Sequence, residues 1–117
     1  MDAEAKMAAL MMGGNVGNTR LNFEKAIQLL IAGGGVITRI SSVYTTEPWG
    51  LTQQPAFKNQ AILLNTSLSP ASLLKLCKEI EKQLGRKKAE KNGPREIDID
   101  ILLYADMVVN EPGLIIP

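Results

Sequence analysis

The 117-residue chain contains no histidine and a single cysteine, Cys77. Without histidine there is no Ser-His or Cys-His nucleophilic pair, no imidazole metal ligand and no imidazole proton shuttle. One thiol allows neither an internal disulfide nor a cysteine-based zinc site. Aromatics are scarce too: one tryptophan, two tyrosines and two phenylalanines. Long hydrophobic runs are absent, and no segment approaches the roughly 20 apolar residues that span a bilayer, so no membrane association is expected. The opening Met1-Asp2-Ala3-Glu4-Ala5-Lys6 is acidic and lacks the basic region, apolar stretch and cleavage site of a secretory signal. Cytoplasmic residence is therefore the expectation. What remains for chemistry is carboxylates, Lys and Arg, hydroxyls, amides and backbone. That set suits hard cations and phosphates better than zinc or acyl transfer.

A composition of 45% hydrophobic and 21% charged residues is enough to build a core, and the length fits one compact domain over residues 1–117. The net charge of +1 conceals an asymmetry. Between Gly85 and Arg95 lie Arg86, Lys87, Lys88, Lys91 and Arg95 against the single acid Glu90, so this segment is strongly cationic and the remainder slightly anionic. A local basic cluster on a near-neutral body reads as an anion site, not as general nucleic-acid affinity.

Met7 to Met12 is a short apolar run closed by Gly13-Gly14-Asn15, which reads as a buried strand and a turn. Thr19 to Ala32 places Leu21, Ala26, Ile27, Leu30 and Ile31 near one helical face, and Gly33-Gly34-Gly35 stops that helix. Val36 to Thr45, rich in β-branched residues, predicts a second strand. Glu47 to Pro55 is punctuated by proline and glycine as a loop, and Phe57 to Leu64 is a third strand. Ser69-Pro70 predicts a helix start, with an apolar stripe of Leu73, Leu76, Cys77, Ile80 and Leu84 and a C-cap at Gly85. Ile97 to Tyr104 is a fourth strand, followed by a hairpin turn at Ala105-Asp106 into Val108-Val109. The order strand, helix, strand, strand, helix, strand predicts an α+β, ferredoxin-like βαββαβ fold, an antiparallel sheet with helices on one face. That architecture hosts many functions and does not select one.

The sharpest motif is Gly93-Pro94-Arg95-Glu96-Ile97-Asp98-Ile99-Asp100-Ile101. Alternation on a strand turns Ile97, Ile99 and Ile101 to the core and sets Asp98 and Asp100 together on the other face, roughly 7 Å apart at Cα. Two such carboxylates repel unless a cation intervenes, and Mg²⁺ takes one or two protein carboxylates with waters and phosphate oxygens. Two solvated acids on a half-exposed strand explain the spacing equally well. The cationic segment feeding directly into this strand favours the metal reading, because acids that hold metal beside bases that hold phosphate are what nucleotide chemistry needs. Taken alone, that segment could be a solvated connection, or Arg86, Lys88 and Arg95 could fold over a polyphosphate. Gly13-Gly14-Asn15-x-Gly17 lacks the lysine and spacing of a phosphate loop and reads as a turn. Trp49 is a loop-packing residue or the cover of a flat ligand. Cys77, on the helix stripe, belongs to the core.

Taken together, five segments resemble the 6-hydroxymethyl-7,8-dihydropterin pyrophosphokinases. They are Gly13-Gly14-Asn15, Ser41 to Gly50, Gln54 to Asn59, Ile80 to Arg86 and Gly93 to Asp100, in family order across nearly the whole chain. The resemblance implies transfer of pyrophosphate from ATP to the pterin hydroxymethyl group, with release of AMP, in folate synthesis. It implies two Mg²⁺ ions on Asp98 and Asp100. It implies a pterin pocket of Thr46, Pro48, Trp49, Phe57 and Asn59, with Phe57 stacking and Asn59 bonding the heterocycle edge. Glu81, Lys88 and Ile101 match the nucleotide side, and Arg86 and Arg95 match catalytic arginines, Arg86 on a loop that closes. Lys88 stands where an arginine is common, Asn92 where an aromatic is frequent, and Gly113 where some members carry arginine. The resemblance further implies that the displayed domain stops before the family's C-terminal segment.

Two other readings compete. A truncated relative would bind pterin or nucleotide without turnover. A ferredoxin-like RNA-binding module would need stacking aromatics on its sheet face. Phe23, Tyr44, Trp49, Phe57 and Tyr104 form no such pattern, and the acids of the fourth strand would repel phosphate.

Overall fold

The computed structural model describes residues 4–48, 50, 53–85 and 93–117. The elements follow as β1 (Lys6–Gly14), α1 (Thr19–Ala32), β2 (Val36–Ile40), β3 (Tyr44–Thr46), β4 (Phe57–Thr66), α2 (Pro70–Gln83), β5 (Asp98–Tyr104), β6 (Val109–Glu111) and β7 (Leu114–Ile116). The main sheet runs β2-β4-β1-β5, with β3 also paired to β4, and every pairing is antiparallel. This is the ferredoxin-like α+β arrangement. The first and third long strands lie in the middle, and β5 forms an edge with β1 on one side only.

Alternation makes the layers. Ala8, Leu10 and Met12 of β1, Ile62 and Leu64 of β4, and Ile99 and Ile101 of β5 are buried on one face. Phe23, Ala26 and Leu30 of α1 and Leu73, Cys77 and Ile80 of α2 pack onto them in one core. The opposite face leaves Met7 and Leu103 half exposed. Both helices therefore lie on one side. Among the described residues, no helix is long and apolar enough to cross a membrane.

Local chemistry sets the ends of the elements. The Asn18 side chain caps α1 by accepting from the Leu21 amide, and Ser69 caps α2 by accepting from the Ser72 amide, with Pro70 at the first helical position. Gly34, at φ +96°, lets the chain leave α1 in a conformation that a side chain disfavours. Gly85 sits one residue past the α2 cap, Leu84, where a left-handed residue (φ +96°) ends a helix.

Three expectations need correction. The strand expected over Val36 to Thr45 is two strands. From Ile40 to Tyr44 the chain advances one residue more than its partner does from Ile62 to Asn59. Ser41 fills the irregularity, its hydroxyl accepting from the Ala61 amide at 2.9 Å. The buried stripe of α1 is Thr19, Phe23, Ala26 and Leu30, whereas Leu21 and Ile31 are exposed. The helix is rotated so that the aromatic ring, with more area to bury, takes the core side. Finally, Val109 does not fold back on β5. The chain turns at Ala105 (φ +49°), and β6 pairs with β7 in a separate ribbon whose Val109, Leu114 and Ile116 seal one end of the core.

Candidate active site

Strand register alone assembles the centre of the site. Asp98 lies opposite Gly13, and Gly13 lies opposite Asn59 on its other side. Asp100 lies opposite Met11. Residues in register share a face, so the two acids and Asn59 project from the sheet side that the helices do not cover. Glycine at position 13 keeps the row between Asp98 and Asn59 low. Met11, Gly13, Phe57, Asn59, Arg95, Asp98 and Asp100 enclose a cleft of about 130 Å³.

Arg95 bridges its two walls. One guanidinium nitrogen lies 3.3 Å from Asp98 Oδ2, and the group stands over the Phe57 ring, 5.7 Å from its centroid. Nε donates to the Gly93 carbonyl at 3.2 Å. The arginine is thus fixed by a carboxylate, a carbonyl and a ring face, with donors left to turn toward an anion. Asn59 is oriented by donating from Nδ2 to Thr46 Oγ1 at 2.9 Å. Thr46, opposite Phe57 in the β3–β4 ladder, therefore acts on the pocket through Asn59. Tyr44, the next residue of that row, donates its hydroxyl to Met11 Sδ at 3.3 Å.

The buried Asn15 organises the surrounding loops. Its Nδ2 donates to Gln54 Oε1 and to the Pro55 carbonyl, each at 2.9 Å, and its Oδ1 accepts from the Arg95 amide at 3.0 Å. Its own amide donates to the Arg95 carbonyl at 3.0 Å. One side chain ties the end of β1 to the loop before β4 and to the segment entering β5. Gly14 allows this closeness, because a Cβ there would overlap the Glu96 carbonyl.

Of the residues singled out in the sequence, Arg95, Asp98, Asp100, Phe57 and Asn59 meet in the cleft, with Thr46 behind Asn59. Pro48 is half-buried in the adjoining loop. Trp49, Arg86 and Lys88 lie outside the described residues. Glu81 and Ile101 lie elsewhere. The Ile101 side chain is in the core, so only its backbone reaches the β5 edge. Glu81 is buried beneath that edge and accepts from the Ile99 amide at 2.7 Å. Three contributors were missed: Met11 and Gly13 as cleft floor, and Asn15 as the clasp. For the first two, pairing the Asp-x-Asp strand with the first strand would have revealed the shared row.

Residues 9–117 match the family model described as 7,8-dihydro-6-hydroxymethylpterin-pyrophosphokinase (HPPK). The chain belongs to that family. It is 44% identical over 108 residues to the 2-amino-4-hydroxy-6-hydroxymethyldihydropteridine pyrophosphokinase of Aquifex aeolicus, covering 92% of this chain and 67% of that protein. With the enzyme of the same name in Bacillus subtilis it shares 38% identity over 112 residues, 95% of this chain and 67% of the relative. The mitochondrial folate synthesis bifunctional protein of Arabidopsis thaliana is 43% identical over 108 residues, 92% of this chain but 20% of the relative. The chain thus spans about a fifth of the plant bifunctional protein and about two thirds of the bacterial pyrophosphokinases. Every cleft residue falls within the stretch matched to the HPPK model. Membership in HPPK removes the ground for an RNA-binding module.

Proposed function

We propose that this protein transfers the β,γ-pyrophosphoryl group of ATP to the hydroxymethyl oxygen of 6-hydroxymethyl-7,8-dihydropterin, releasing AMP. The observation that carries the reading is the meeting of Asp98, Asp100 and Arg95 with Phe57 and Asn59 in one cleft. Acids and a base suited to a metal–polyphosphate share a wall with a ring and an amide suited to a flat, hydrogen-bonding heterocycle.

The donor set fits magnesium. Two carboxylates at the mouth of an open cleft suit an ion that keeps waters and phosphate oxygens in its shell. We assign Asp98 and Asp100 to hold two Mg²⁺ ions, which when bound would neutralise polyphosphate charge and align the reacting oxygens.

A second groove, about 440 Å³, runs along the free edge of β5 between Leu74 and Lys78 of α2 and Leu114 and Ile115 of β7. Asp100 lines both this groove and the cleft. The adenosine part of ATP fits the groove, with the Ile101 backbone at its edge, so that the phosphates cross Asp100 toward Arg95. In the cleft, Phe57 stacks on the pterin and Asn59, fixed by Thr46, bonds its edge. The pterin oxygen then bonds to the β-phosphorus as the bond from that phosphorus to the α-bridging oxygen breaks. AMP leaves with that oxygen, and the hydroxyl proton passes to solvent. Arg95 bears on the charge of the transferred group. Arg86 and Lys88 are assigned to cover the polyphosphate, excluding water that would compete with the pterin hydroxyl. The cytoplasm, where ATP and magnesium are plentiful, is the compartment this reading calls for.

The test is AMP formation by Asp98→Ala and Asp100→Ala. Each is expected to lose about 100-fold or more in turnover while keeping its fold, since pre-arranged charge at a phosphoryl centre carries much of the rate. Near-normal turnover in either variant would remove the metal assignment.

A further inference from the structure

Among the described residues, Glu81 is the one charged side chain in the buried set. It lies beside the apolar stripe of α2, and a buried carboxylate needs strong partners to be tolerated. Its Oε2 accepts from the Ile99 amide at 2.7 Å, and its Oε1 lies 3.5 Å from Lys78 Nζ. Lys78 is half exposed, so water screens its charge.

The position of the accepted amide is informative. Ile99 lies between Asp98 and Asp100. β5 is an edge strand, so alternate peptide groups point to β1 and to the open side. The Ile99 amide points to the open side, where among the described residues no strand holds it, and Glu81 accepts from it in place of a strand. A twist of that peptide would swing both aspartates, whereas Mg²⁺ tolerates little departure from octahedral geometry.

We infer that Glu81 is a positioning residue. Its carboxylate pins the peptide between the two metal-holding aspartates and so sets their spacing. This inference rests on the proposed metal–nucleotide function.

The test compares Glu81→Gln, which retains an acceptor of equal reach, with Glu81→Met, which retains length but not the acceptor. Two readouts are needed in the intact protein: exchange of the Ile99 amide by NMR, and Mn²⁺ affinity by EPR with α,β-methylene-ATP present. In the parent protein and in Glu81→Gln the amide stays protected, and Mn²⁺ affinity in the variant falls less than about three-fold; in Glu81→Met exchange accelerates and affinity falls about ten-fold or more. Equal losses of affinity in the two variants, or Mn²⁺ affinity in Glu81→Met within about two-fold of the parent, would overturn the inference. If the parent protein itself takes up no Mn²⁺ with the nucleotide, the proposed function falls as well. If the parent binds and Glu81→Met binds equally, only the role of Glu81 falls.

Discussion

Cys77 shows how a single residue's surroundings decide its chemistry. Burial chiefly, with Glu81 and Asp100 adding to it and Lys78 opposing, pushes its thiol from 9.0 up to about 12. A thiol so placed is no nucleophile at neutral pH, and Ellman's reagent at pH 8 should react only as fast as the protein unfolds. Prompt labelling of the folded protein would contradict this. The same shift couples to stability. The unfolded thiol loses its proton near 9 and the folded one near 12. Its contribution is therefore complete below pH 9 and lost as pH rises toward 12, at about 1.4 kcal/mol per pH unit. Urea unfolding across that window should show a shallower alkaline decline in Cys77→Ala than in the parent, despite lower stability at neutral pH. Assignment of Cys77 to the core was legible in the sequence because helical spacing placed it on an apolar stripe. The bond from the Ile99 amide to Glu81 was not legible, because the spacing of an acid on α2 does not show that it accepts from a backbone amide of β5.

At the scale of elements, the caps and strand faces follow from local rules. Ser69 before Pro70 predicted α2, and Ser69→Ala should cost about 1 kcal/mol by thermal melting. Asp98 and Asp100 stand on the face that alternation assigned them. Elements failed to follow where pairing overrode composition. Ser41 bonds β4 with its hydroxyl and breaks a strand that propensity drew as continuous. Val109 pairs with Ile116, a partner that a local reading of the Ala105 turn does not reach. Asn15 belongs to this scale, because its bonds join residues 39 to 80 positions away. Asn15→Ala removes three side-chain bonds worth about 1 kcal/mol each, so chemical denaturation should show a loss of about 2–3 kcal/mol. Gly14→Ala should loosen the same clasp, since its Cβ meets backbone. An unchanged denaturation midpoint in Asn15→Ala would mean the clasp is incidental.

For the whole molecule, one sheet divides the labour. One face, with both helices, holds the fold, and the other carries the cleft. Edge strand β5 serves the core through Ile99 and Ile101, the cleft through Asp98 and Asp100, and the second groove through its open side. Two cavities that meet at Asp100 suit two substrates joined by a phosphate chain. Calorimetry should therefore detect Mg²⁺-dependent binding of α,β-methylene-ATP, and the bound nucleotide should strengthen pterin binding. The central claim, pyrophosphoryl transfer between those substrates, is tested most directly by identifying the products. With ATP, Mg²⁺ and 6-hydroxymethyl-7,8-dihydropterin, ³¹P NMR should show AMP and a pterin diphosphate appearing in equal amounts. ADP as the nucleotide product, or ATP consumption indifferent to the pterin, would contradict the account.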